Sequence, residues 1–96
     1  MYKLEPTSQF RKDFKSIPEN KYAAIEKVFD ILSEIGTLPY IPYRTHKLIG
    51  NYSGYYEAHI ESDLLIIWFK VSKDNVISLT RIGSHSKLFK NNNNKK

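Results

Sequence analysis

The sequence predicts an α+β domain in which two helices pack on a mostly antiparallel, twisted sheet. Apolar residues recur at steps of three and four between positions 22 and 35, the period of a helix that faces a core. Positions 54–61 alternate as in a half-buried strand, and Leu64–Phe69 is a continuous apolar run typical of a strand covered on both faces. Because the helical segments precede these strands, the predicted order is β-α-α-β-β-β.

The first elements are a short strand and a short helix. Tyr2–Glu5 is predicted as a strand, and Pro6 after it suits an edge position because proline cannot donate to a neighbouring strand. Thr7 or Ser8 can cap the following helix. This helix must end before Pro18, because a proline ring disfavours the α conformation in the preceding residue.

The second helix has signals at both ends and along its length. Ser16 and Glu19 have the spacing of a capping box, with Pro18 in the first turn. Gly36 is placed to end the helix in a left-handed conformation. The predicted apolar stripe consists of Tyr22, Ile25, Phe29, Leu32 and Ile35.

The rest of the chain is predicted as one long loop and three strands. Residues 37–53 contain two prolines and little periodicity, and long loops in compact domains are often functional. Tight turns at 62–63 and 73–75 then separate the strands of an antiparallel meander. These strands are Gly54–Glu61, Leu64–Phe69 and Val76–Ile82.

Length, charge and composition limit the class of protein. Ninety-six residues suffice for one domain, assigned to residues 1–89, and the low-complexity tail at 90–96 is predicted to be disordered. The net charge of +5 favours a polyanionic partner, although three of the positive charges lie in that tail. The absence of cysteine excludes disulfides and thiol nucleophiles. With no apolar signal core or membrane-length segment, we expect a cytoplasmic protein.

The three histidines are the best candidates for catalysis. His46 falls in the long loop, His59 near the end of a strand and His85 just after the last strand. Imidazoles that flank a phosphodiester could take a proton from a 2′-hydroxyl and give one to the departing 5′ oxygen. A structural or surface role is the commoner explanation of a lone histidine, and zinc binding is an open alternative without the usual motif spacing.

Other polar candidates also have ordinary structural explanations. Asp63 suits a tight turn because aspartate bonds its own backbone there. Arg81 could be a solvated strand residue, and Phe89 could pack the end of the chain onto the core. The residues alone therefore predict a basic α+β domain in which the histidines could form a site.

Four stretches together resemble the YafQ branch of the RelE/ParE toxin superfamily. They are Tyr43–Leu48, Gly50–Ile60, Asp63–Ile66 and Arg81–Phe89, and the last contains the most specific motif, Gly-Ser-His-Ser-x-Leu-Phe. The resemblance covers nearly the whole chain except its asparagine-rich tail.

This resemblance implies a compact RelE-like fold and a bacterial toxin of a type II toxin–antitoxin system. Such a toxin is an mRNA interferase, a ribosome-dependent endoribonuclease that acts on mRNA in the ribosomal A site. The resemblance implies metal-independent cleavage by 2′-hydroxyl attack, with no cofactor and no membrane association. It also implies inhibition by an acidic antitoxin, with which the toxin represses their common promoter.

The resemblance also carries roles onto particular residues. It implies that His85 is the general acid and that His46 or His59 is the base. Asp63 would orient or charge-stabilise a histidine, and Phe89 would support the substrate base or the position of His85. The candidate RNA and phosphate ligands are Arg81, Lys47 and Arg44.

Two departures and two alternative functions accompany the resemblance. Tyr56 stands where the family usually has arginine, and Leu64 where it often has tryptophan, so weaker phosphate binding and altered base stacking are expected.

A non-enzymatic toxin that binds a protein such as DNA gyrase, like the ParE branch, is the main alternative. The histidines favour the nuclease, because such a binder has no need of three placed bases. A metal-dependent nuclease is a third hypothesis, which predicts loss of activity with chelator.

Overall fold

The computed structural model describes residues 1–71 and 73–89. The predicted disordered tail at 90–96 lies outside the described residues. The helices and strands are β1 (Lys3–Pro6), α1 (Ser8–Phe14), α2 (Tyr22–Ile35), α3 (Tyr40–Tyr43), β2 (His46–Lys47), β3 (Tyr55–Glu61), β4 (Leu64–Val71), β5 (Val76–Gly83) and α4 (His85–Phe89).

The strands form one five-stranded sheet in the order β1-β5-β4-β3-β2. β1 runs parallel to β5, and the other neighbours are antiparallel. The predicted α+β class is confirmed. The sequence did not predict β2, α3 or α4, because elements of two to five residues are too short to show a hydrophobic period. In the described part of the chain, every helix is too short or too polar to span a membrane.

The main core lies between α1, α2 and one face of the sheet. Trp68 of β4 and Leu32 of α2 are completely buried in it. The predicted stripe of α2 is partly wrong: Tyr22 and Ile35 at its ends are largely exposed, whereas Val28 is fully buried. The reason is geometric, because only the middle turns of α2 lie over the sheet.

The helix ends follow the sequence signals with one exception. Thr7 caps α1, since its hydroxyl accepts a hydrogen bond from a first-turn N–H at 3.0 Å. Gly36 ends α2 in the left-handed conformation. The predicted capping box of Ser16 and Glu19 is wrong, because a short 3₁₀ turn intervenes and α2 begins only at Tyr22, without a side-chain cap.

The opposite face of the sheet carries a smaller core beneath α4. Leu65 and Ile67 of β4 point to this face, and Leu88 of α4 packs on them. The intervening Ile66 packs under α1 and α2. Because β4 is therefore covered on both sides, its apolar run is continuous instead of alternating.

A buried carboxylate connects α1 to the sheet. β1 pairs with β5 only as far as Leu79, and beyond it Asp13 accepts a hydrogen bond from the backbone N–H of Ile82 at 3.1 Å. The guanidinium of Arg81 donates to the same carboxylate from Nε at 2.8 Å and from Nη2 at 3.1 Å. Burial would raise the pKa of Asp13, but hydrogen bonds from Arg81, the Ile82 N–H and Gln9 outweigh it and lower that pKa.

We expect Asp13→Asn to lower the free energy of unfolding by about 3–5 kcal/mol at neutral pH, since it removes one partner of a buried ion pair. The folded-state pKa of Asp13 is depressed, so its contribution is fully present above about pH 4 and is lost as pH falls through the folded-state pKa. Urea unfolding across a pH series measures this difference. The exposed Asp30→Asn is the control, and a deficit that stays constant into acid would contradict the assignment.

Candidate active site

One face of the sheet, here called the histidine face, brings together most of the predicted catalytic residues. Glu57 and His59 of β3 point to it, because Ala58 between them packs under the helices. β2 places His46 opposite Glu57. From strand spacing, the Cα atoms of His46 and His59 are roughly 8 Å apart. Leu65 of β4 lies between His59 of β3 and Gly83 of β5 in the sheet. Because α4 follows Gly83, it begins near the strand that is two strands away from His59.

His46 contacts two hydrogen-bond acceptors. Its Nε2 lies 3.2 Å from Oε1 of Glu57, and its Nδ1 lies 3.0 Å from the carbonyl oxygen of Arg44. A carboxylate and a carbonyl both accept, so the ring satisfies both contacts only when both nitrogens carry protons. The Glu57 side chain is only 8% exposed, so its carboxylate has little access to water and relies on His46 as a hydrogen-bond partner. Both ring nitrogens of His46 are therefore occupied by protein groups.

His59 has a different environment. It is partly buried and lines a pocket of about 270 Å³ with Pro42, Arg44 and Ser62. Within the described residues, no protein group hydrogen-bonds its imidazole. Its ring nitrogens are therefore free to exchange a proton with a bound molecule.

Helix α4 positions His85 and Phe89. Its first turn is held by two side chains: Ser84 Oγ accepts from the N–H of Lys87 at 3.1 Å, and Asp63 Oδ1 accepts from the N–H of His85 at 3.2 Å. The rings of His85 and Phe89, one turn apart, have centroids separated by 4.9 Å. Asp63, for which the resemblance implied that it would orient or charge-stabilise a histidine, thus contacts the main chain of His85.

Arg81 reaches this face from β5. Its cross-strand neighbour is Ile67, which packs under α4. The hydrogen bond with Asp13 raises the pKa of Arg81, burial opposes that effect, and the phenol of Tyr52 raises the pKa further. Tyr52 makes an edge contact with Phe89, with ring centroids 6.1 Å apart. The guanidinium therefore lies between a buried carboxylate and the aromatic residues of the site.

The two remaining predicted phosphate ligands are placed differently. Lys47 lies opposite Tyr56, with its Nζ 6.0 Å from that ring centroid, so it points away from the histidine face. Arg44 is exposed and lines the pocket beside His59. Only Arg44 of these two is close to a histidine of the site.

The two departures from the family pattern lie under the helices. Tyr56 stacks on Trp68, with ring centroids 5.7 Å apart, and Leu64 belongs to the main core. Neither side chain contributes to the histidine face. Among residues 1–71 and 73–89, no three His, Asp or Glu side chains are grouped as metal ligands.

Sequence reasoning did not single out Asp13 or Glu57. Asp13 follows Lys12 in a helix rich in basic residues, and Glu57 lies in an alternating strand, and both patterns are typical of solvated charge. The alternation of β3 placed Glu57 on the face of His59, but it did not indicate that the carboxylate is buried against His46. Asp13 gives no such signal, since its partner is 68 positions away.

Comparison with known proteins agrees with the resemblance. Residues 2–90 match the family of YafQ, bacterial toxins of type II toxin–antitoxin systems. The mRNA interferase toxin YafQ of Escherichia coli K12 is 31% identical over 90 residues, which cover 90% of this chain and 94% of the relative. A metal-bound toxin from Helicobacter pylori superposes with a TM-score of 0.81 at 32% identity, covering 93% of this chain and 100% of that one. YafQ in the E. coli DinJ–YafQ toxin–antitoxin complex gives 0.76 at 27% identity, covering 92% and 97%.

Replacing Asp63 tests how α4 is held. We expect Asp63→Ala to accelerate hydrogen exchange of the His85 amide about fivefold, since one exposed hydrogen bond contributes about 1 kcal/mol. Asp63→Asn keeps an acceptor oxygen and should change the rate less. Amide exchange followed by NMR measures both variants, and identical rates in all three proteins would show that Asp63 does not hold the helix.

Proposed function

Because the chain belongs to the YafQ family of type II toxin–antitoxin toxins, we propose that it is an endoribonuclease that cleaves mRNA on the ribosome. The E. coli relative is named an mRNA interferase. The observation that carries the proposal is the histidine face, where three histidines and Arg81 share one side of the sheet. Phosphodiester cleavage needs such a set of proton-transfer groups and cations.

The environments of the histidines favour distinct roles in this reaction. His59, with its unoccupied nitrogens beside a pocket, removes the proton of the 2′-hydroxyl, which attacks the adjacent phosphorus. His85 gives a proton to the departing 5′ oxygen. The products are a 2′,3′-cyclic phosphate and a 5′-hydroxyl. His46 and Arg81 stabilise the charge on the phosphate, and Phe89 stacks on a base. No step in this scheme uses a metal ion.

We also propose that an acidic antitoxin inhibits the protein, because the E. coli relative was solved as a complex with the antitoxin DinJ. An apolar groove of about 400 Å³ runs beside α1 and is lined by Leu4, Phe14 and Arg11. Lys12 and Lys15 are exposed on the same helix. An amphipathic acidic segment matches both the apolar floor and the basic surroundings of this groove.

The cleavage reaction can be tested by mapping transcript 5′ ends in cells that express the chain from a tightly controlled promoter. New ends with 5′-hydroxyls at in-frame codons are expected. His59→Ala and His85→Ala should each reduce cleavage about 10²–10⁴-fold, the usual contribution of an acid or base. Exposed Lys27→Ala is the matched control. Growth arrest with intact transcripts would favour the alternative, a toxin that binds a protein such as DNA gyrase.

The antitoxin interaction should depend on ionic strength. We expect the affinity to fall as salt rises from about 0.05 M to about 0.5 M, since exposed charges are screened over shorter distances. Arg11→Glu should weaken binding and reduce this dependence. Calorimetric titration with the purified antitoxin measures both effects, and an affinity that salt leaves unchanged would remove the electrostatic part of the proposal.

A further inference from the structure

We propose that Asp13 is a positioning residue of the active site: from helix α1 it fixes the guanidinium of Arg81 so that the opposite edge of that group faces the scissile phosphate. This inference rests on the proposed nuclease function. If it is correct, a residue of α1, on one side of the sheet, influences a reaction on the other side.

The hydrogen bonds leave part of the guanidinium free. Arg81 has five N–H donors in one plane. Nε and Nη2 donate to the two oxygens of Asp13. Asp13 does not use the two hydrogens of Nη1 or the second hydrogen of Nη2, and on that side the guanidinium also interacts with the phenol of Tyr52. The Arg81 side chain is 21% exposed and that of Asp13 is 0% exposed, so the free edge is the accessible one.

The register of the sheet places Arg81 on the histidine face. His46, Glu57, Ile67 and Arg81 form one continuous cross-strand row, with His46 at one end and Arg81 at the other. From strand spacing, the Cα atoms at the two ends of this row are roughly 14 Å apart. The phenol of Tyr52 lies between the guanidinium and Phe89 of α4. Arg81 therefore reaches the proposed site from the side of α4, the helix that also carries His85.

Asp13 is itself held before any RNA binds. The backbone N–H of Ile82 and the amide of Gln9 both donate to its carboxylate. Arg81 is consequently ordered in the free protein, and phosphate binding does not require its side chain to be immobilised. A cation near the buried carboxylate would suffice to compensate its charge. The bidentate contact, in which two N–H groups of one plane meet two oxygens, fixes the orientation of the guanidinium as well.

The test measures single-turnover cleavage of mRNA on purified ribosomes by the full chain and its variants. In Asp13→Asn the side-chain NH₂ replaces one acceptor of the guanidinium. We expect up to about 10²-fold lower maximal rate, with little change in the concentration of ribosome complex that gives half-maximal rate. Arg81→Lys can keep the ion pair but has no second edge, so it should lose a similar factor. The double variant should be no slower than Arg81→Lys.

Thr7→Ala is the control for a general weakening of the contact between α1 and the sheet. It removes the cap of the same helix and the hydrogen bond from Thr7 Oγ1 to the carbonyl of Thr80, but no contact of the Arg81 side chain, so its maximal rate should equal that of the parent within about twofold. Arginine Nε–H signals in NMR give a second readout. The chain has three arginines, and the Arg81 signal should show slow exchange that Asp13→Asn abolishes.

Several outcomes would overturn the inference. A folded Asp13→Asn with the parental rate, a double variant whose losses multiply, or a fully active Arg81→Lys would each do so. If Asp13→Asn does not fold, Asp13→Glu takes its place, because it keeps the buried negative charge but moves the two oxygens by one methylene. A parental maximal rate together with a shifted Arg81 Nε–H signal in this variant would overturn the inference. A parent protein that cleaves no mRNA would instead overturn the proposed function, and this result is distinguishable because it appears before any variant is compared.

Discussion

The central strand β4 must be covered on both faces, and this constraint governs the rest of the structure. Five consecutive residues, Leu64–Trp68, are buried in it. Helices α1 and α2 cover one face, but within the described residues α4, with only five residues, covers the other. Leu88 of α4 fills the small core, and His85 and Phe89 lie on the same helix. A small domain has few residues to spare, so the element that completes its core also carries two residues of the proposed site.

Buried carboxylates give the histidine face its electrostatic character. Asp13 and Glu57 are both almost inaccessible, and each contacts a partly exposed basic side chain, Arg81 in one case and His46 in the other. A buried carboxylate without a partner is strongly destabilising, so each of these contacts is expected to persist in the folded protein. The guanidinium of Arg81 and the imidazole of His46 are thereby ordered at the surface, and both carboxylates stay beneath it.

The sequence predicted elements with a long repeating pattern and missed those without one. The period of α2 and the alternation of β3 extend over several turns or pairs, so they located Leu32 in the core and His59 on the opposite face. β2 has two residues and no period. The capping-box prediction was wrong because the spacing of Ser16 and Glu19 does not reveal the 3₁₀ turn that separates Ser16 from α2. The sequence did not indicate a role for Asp13 because its hydrogen-bond partners lie 68 and 69 positions away along the chain. Such contacts exist only once the sheet has formed.

The role of each histidine depends on its surroundings, which the residue type alone does not reveal. Sequence and resemblance together indicated three imidazoles at a site but left the base open between His46 and His59. A general base needs a free lone pair within reach of the proton it removes. His46 directs both nitrogens at acceptors, which leaves no lone pair for that purpose, whereas His59 keeps its nitrogens free beside a pocket. The difference arises from Glu57 and from the carbonyl of Arg44, whose left-handed backbone turns it toward the ring. Neighbouring main-chain and carboxylate groups, and not the histidines themselves, therefore favour His59 over His46 as the base.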